Sequence, residues 1–76
     1  MSRITFSRRH GGYVVSMNGL LTGLILSPET DVENHFRYWR CISQWGDLTE
    51  HESLLEAKEH ASRTVLYDEP ELFYAA

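Results

Sequence analysis

The chain has 76 residues, 42% hydrophobic and 24% charged, with 11 acidic residues against 7 basic ones for a net charge of −4. This is enough for one small core of ordinary globular composition, which excludes a second domain and argues against a disordered chain. The acidic balance argues against a nonspecific nucleic-acid binder. The single cysteine, Cys41, excludes an intramolecular disulfide framework and fits a reducing, cytoplasmic setting.

Residues 1–9 hold three arginines and no apolar run, so no targeting segment is expected. Ile4-Thr5-Phe6-Ser7 alternates apolar and polar groups, the pattern of a half-buried strand. His10-Gly11-Gly12 supplies a turn, and Tyr13-Val14-Val15-Ser16-Met17 is the β-branched and aromatic strand after it. Asn18-Gly19 predicts a two-residue type I′ turn, with Leu20–Leu26 returning as a third strand. Gly11 to Pro28 carries no charge, but it is too short and too broken by four glycines to span a bilayer. It reads as a buried hairpin, and no membrane partner is expected.

Residues 27–34 are polar and read as a loop, because Pro28 disfavours continuation of a central strand. His35–Gln44 is the longest strand candidate, with Phe36, Tyr38, Trp39, Cys41 and Ile42. Trp45-Gly46-Asp47 reads as a turn, and Leu48–His51 as either a short edge strand or part of the approach to the helix. Thr49-x-x-Glu52 and Ser53-x-x-Glu56 both have the form of a capping box; Ser53 is favoured as N-cap because the apolar period starts at Leu54. Leu54, Ala57, Ala61 and Val65 make one stripe, and Asp68-Glu69-Pro70 is expected to end the helix. These elements predict a single α+β domain over residues 1–67, with an acidic and aromatic tail over 68–76. Its economical architecture is a four- to five-stranded antiparallel sheet with one C-terminal helix on one face.

One helix covers one sheet face. Alternation along the long strand puts Trp39, Cys41 and Trp45 on one side and Phe36, Tyr38, Arg40 and Ile42 on the other. Either way an aromatic face with an arginine nearby is left open, the composition in which interface hot spots are enriched. The candidate partner-binding residues are therefore Phe36, Arg37, Tyr38, Trp39, Arg40 and Trp45. The tail, with Leu72, Phe73 and Tyr74 among acids, is expected to be docked on its own sheet or on a second copy.

No catalytic, metal or cofactor site is expected. His10, His35, His51 and His60 lack the close spacing of helical zinc motifs. Cys41 reads as a buried structural residue, and Asp47 and Glu50 have no pocket partner. Arg8-Arg9-His10-Gly11-Gly12 could hold an anion on turn amides, but it lacks the strand-loop-helix context of a phosphate loop. An enzyme is not expected, since a pocket would remove core from a chain this short. The charge is graded along the chain. Residues 1–40 carry five arginines against three acids, a balance of +2, and residues 41–76 carry Lys58 and Arg63 against eight acids, a balance of −6. That grading speaks to association through one pole.

The stretch Tyr38-Trp39-Arg40, Gly46-Asp47 and Ser53-Leu54-Leu55-Glu56-Ala57-Lys58 resembles a pattern of small bacteriophage and prophage proteins, in which a Trp-bearing strand turns at a glycine into a helix. It is also similar to the three-stranded, one-helix arm-binding module of phage integrases, which implies DNA contact through the sheet. In size, charge and lack of catalytic residues the chain resembles small phage inhibitors of bacterial defence, anti-CRISPR proteins among them. The expectation is a non-enzymatic protein-binding module, encoded by a phage, that blocks a host complex in the cytoplasm by occupying its surface. A nucleic-acid-binding sheet using Arg3, Arg8, Arg37 and Arg40 is the alternative, and a self-associating structural protein, such as a homodimer, is the third reading.

Overall fold

Two-residue turns with positive φ at both central positions close the first two hairpins. His10 and Gly11 have φ of 49° and 81°, Asn18 and Gly19 have 52° and 83°, and these are the angles of a type I′ turn. Asn18 also ties down the chain entry: its amide donates to the Arg3 carbonyl at 2.8 Å, and its Oδ1 accepts the Arg3 amide at 2.8 Å. The structure is a computed structural model that describes the backbone of residues 3–75 and side chains from residue 3 to residue 66.

Five strands and one helix result: β1 (Ile4–Arg9), β2 (Gly12–Met17), β3 (Leu20–Asp31), β4 (Phe36–Ile42), β5 (Leu48–His51) and α1 (Leu54–Ala75). The strands pair in sequence order, β1-β2-β3-β4-β5, each antiparallel to its neighbour. This is the α+β architecture expected from the residues, a five-stranded sheet with one helix packed against it. A bulge opposite Val15 absorbs the extra residues of β3. There the Thr22 hydroxyl donates to the Val15 carbonyl at 2.8 Å and accepts the Leu24 amide at 3.2 Å, and Gly23 takes φ of 86°.

Residues 27–34 are not a loop. β3 runs on to Asp31, with Pro28 opposite Trp39. A proline removes a ladder bond only where a neighbouring strand is present to receive it. The pairing of β2 with β3 reaches Tyr13 opposite Leu26 and goes no further, so on that side Pro28 has no ladder partner to lose. Beyond this point β3 and β4 continue as a two-stranded ribbon, closed by a turn over residues 32–35. The Asp31 carboxylate accepts the Asn34 amide at 3.1 Å and the Asn34 side chain at 2.9 Å. Those two bonds hold its carboxyl below the usual aspartate range.

β4 is shorter than expected, Phe36–Ile42, because His35 takes φ of 56° in the turn. At its other end the Ser43 Oγ accepts the amides of Trp45 and Asp47, both at 3.1 Å, and Gly46 takes φ of 89°. Trp45 therefore sits at the tip of a closed turn. It does not continue the Trp39 and Cys41 row, as strand alternation implied.

Ser53 is the N-cap of α1. Its hydroxyl accepts the Glu56 amide at 3.2 Å, while the Glu56 carboxylate reaches back to the Glu52 amide at 3.2 Å. Ser53→Ala is expected to lower stability by about 1 kcal/mol, measured by urea unfolding; no loss would mean that water satisfies the Glu56 amide equally well. The helix stripe falls as predicted, with Ala57 and Ala61 fully buried and Val65 nearly so. The alanines allow a close approach to Val15, Leu24, Leu26 and Cys41, and Phe6, Tyr13, Met17, Trp39 and Leu54 pack around this core. The expected stop at Asp68-Glu69-Pro70 is corrected, since the helix continues to Ala75. An interior proline removes one amide bond and crowds the carbonyl four residues back, a cost of about 3 kcal/mol that disfavours the helix without forbidding it. The expected docking of the 68–76 side chains falls outside the described residues.

Candidate protein-binding face

The register decides which face of β4 is open. Cys41 pairs with Leu26 and Thr49, and Leu26 pairs with Tyr13, so Trp39 and Cys41 share the helix side with the core. Phe36, Tyr38, Arg40 and Ile42 face the other way. There the pairs Ser7–Val14, Val14–Ile25, Ile25–Ile42 and Ile42–Leu48 run as one row across all five strands. Four of its members are apolar, and Ile25 and Leu48 are 46% and 48% exposed. Among the described residues no helix packs over this row, which makes it the candidate interaction surface of the sheet.

Beside this row lies a polar ladder. Arg40 sits between Glu29 on β3 and Glu50 on β5, its guanidinium 3.9 Å from one carboxylate and 3.7 Å from the other. Its NH2 donates to the Tyr38 hydroxyl at 3.1 Å, and its Cζ lies 5.6 Å from the Tyr38 ring centroid. The Ser27 hydroxyl donates to Glu29 at 3.2 Å, which fixes that carboxylate. The Arg40 Nε is buried without a hydrogen bond, and the nearby Glu50 carboxylate compensates its charge. Phe36 continues the cluster outward, tilted against Tyr38 with ring centroids 5.7 Å apart and 48% exposed.

Three of the six candidate residues, Phe36, Tyr38 and Arg40, are thus brought together in one corner of the face. Trp39 lies on the opposite face, against Tyr13 with centroids 5.9 Å apart, and completes the rim of the core. Arg37 is exposed on that same opposite side of β4. Trp45 is 73% exposed at the β4–β5 turn, away from the cluster. Val14, Ile25 and Leu48 were missed as site residues. Their pattern was in the sequence, but only strand register shows that they align.

A notch opens on the same face where β2 begins. It has a volume of about 200 Å³ and is lined by Arg9, His10, Gly12, Val14, Ile25 and Ser27, with Leu26 and Pro28 behind. The ion pairs among the described residues both belong to Arg40, so none of the described carboxylates lies within 4 Å of Arg9 or His10.

The helix side holds the remaining chemistry. Lys58 lies over Phe6 and Tyr13, its Nζ 5.3 and 4.9 Å from the ring centroids, and closes the core edge as a cation on aromatic faces. His51 and His60, nine residues apart, meet between β5 and α1 with ring centroids 4.8 Å apart. Burial, then the neighbouring His51 and Arg63, hold the His60 imidazole below the usual histidine range. Among the described residues no three metal-ligating side chains converge. Burial raises the Cys41 thiol above its ordinary value, so the thiolate form is disfavoured.

Among the described residues no helix is long and apolar enough to cross a membrane. Compared with known proteins, the chain matches no protein-family model, no curated protein and no solved structure.

Proposed function

We propose that the chain is a non-enzymatic protein-binding module that works by occupying a partner's surface through the uncovered face of its sheet. The observation that carries this reading is the alignment of Val14, Ile25, Ile42 and Leu48 next to the Phe36, Tyr38 and Arg40 corner. An apolar strip beside ordered aromatic and arginine side chains is the composition of an interface centre. The resemblance to small phage and prophage proteins extends the reading to an inhibitor or modulator of a host defence complex.

The nucleic-acid alternative is weaker on the same geometry. Arg40, the central cation of the face, is flanked by two carboxylates, and a phosphate would have to displace them. The test is affinity capture from a bacterial lysate with the wild-type chain and with Phe36→Ala, Tyr38→Ala and Arg40→Ala, each checked for an unchanged circular dichroism spectrum. A captured complex should be lost or weakened about tenfold or more by at least one of the three. Equal recovery with all three variants would sink the assignment of this face.

A further inference from the structure

We infer that the notch at the start of β2 is a docking site for the acidic and aromatic segment 68–76 of a second copy of this chain. The notch is both concave and cationic at its rim. Gly12 contributes no side chain to it, Val14 and Ile25 give it apolar walls, and Arg9 and His10 line it with no carboxylate of the described residues within 4 Å. Arg40 on β4, opposite the notch residue Ser27, is already held between Glu29 and Glu50. A group that enters the notch must therefore carry an anion for Arg9 and an apolar body for the walls.

The chain supplies such a group. Glu71 is followed directly by Leu72, Phe73 and Tyr74, and Asp68 and Glu69 precede it. A cavity of about 200 Å³ accommodates one large side chain of this kind. The charge balance of +2 over residues 1–40 and −6 over residues 41–76 is the same complementarity at the scale of the whole molecule. Docking within one chain is disfavoured, because α1 packs on the opposite face of the sheet through Ala57, Ala61 and Val65. The contact is therefore head to tail between copies, a heterologous interface that propagates unless it closes into a ring. The notch shares Val14 and Ile25 with the row that carries the proposed partner-binding role, but the inference goes beyond that role and does not depend on the Phe36 and Tyr38 corner.

The experiment uses the full chain. Sedimentation velocity from about 10 µM to 1 mM should show self-association that weakens as salt is raised. Arg9→Glu, an exposed substitution checked for an unchanged circular dichroism spectrum, should weaken it about threefold to tenfold. Mixing Arg9→Glu with Glu71→Arg should restore it. As a measurement that needs no variant, a synthetic peptide of residues 66–76 added to the isotope-labelled wild-type chain should shift the amides of Arg9, His10, Gly12 and Ser27. A strict monomer at 1 mM and low salt would overturn the inference. So would self-association that Arg9→Glu leaves unchanged, or a peptide that shifts none of those amides.

Discussion

Leu26→Ala is expected to lower the unfolding free energy by about 2–5 kcal/mol, whereas Ile25→Ala next to it should cost less than about 1 kcal/mol. Leu26 is fully buried, paired with Tyr13 on one side and Cys41 on the other, at the centre of the sheet under the helix. Its truncation removes apolar contact and leaves a cavity that Ala57 and Ala61 are too small to fill. Ile25 is 46% exposed on the open face, so its side chain already meets water. Native domains are held by about 5–15 kcal/mol in total, and a 76-residue chain without a disulfide belongs toward the low end. Leu26→Ala should then drop the thermal midpoint by roughly 10 °C or more, and at the upper end of its cost leave the chain largely unfolded at body temperature. Ile25→Ala should keep the midpoint within a few degrees while weakening any binding that uses the apolar row. Equal destabilisation by the two would mean that the helix does not cover the Leu26 face.

The residues that made the fold legible are those whose signals are local. A type I′ turn needs positive φ at two adjacent positions, and Asn18-Gly19 announces that within two residues. The cap at Ser53 and the stripe of Leu54, Ala57, Ala61 and Val65 depend on spacing within one helix, and they fall as read. The cost of Pro28 depends on a neighbour, which the local sequence around it does not show. Pro28 sits in a strand at the point where β2 has stopped pairing with β3, and the length of a neighbouring strand is not a local property.

The site follows the same division. Alternation separated Phe36, Tyr38 and Arg40 from Trp39 and Cys41, but large groups on both sides of β4 left open which set faces the helix. Pairing of Cys41 with Leu26 settles it. Trp45 was placed by continuing the alternation past Ile42, and the hydrogen bonds of Ser43 turn the chain before that point. The His51 and His60 contact joins a strand to a helix, so no spacing rule within one element could have found it.

Gly12→Asn is expected to be far more damaging than Gly11→Asn, although the two glycines are adjacent. Gly11 has φ of 81° and nothing within 4 Å of an added Cβ, so it is a glycine for conformational reasons alone. Asparagine tolerates the left-handed region, and the substitution there should cost less than about 1 kcal/mol. Gly12 is already in β2, and a Cβ on it would collide with the backbone carbonyl oxygen of Leu26 and meet the Pro28 ring. A backbone carbonyl cannot swing aside as a side chain can, so β2 must separate from β3 beside the Tyr13–Leu26 pair. That should cost about 2–3 kcal/mol or more, read as a lower urea midpoint with an unchanged slope. The sequence held a signal for this that its reading as a turn hid. A two-residue type I′ turn is complete with His10 and Gly11, so a third glycine has to answer to something else. Its second role is the notch, which an added side chain would fill. Because Gly12→Asn perturbs fold and notch together, only the unfolding midpoint is diagnostic for this variant. If Gly11→Asn proved the more harmful, strain in the turn and not the approach of two strands would govern this end of the sheet.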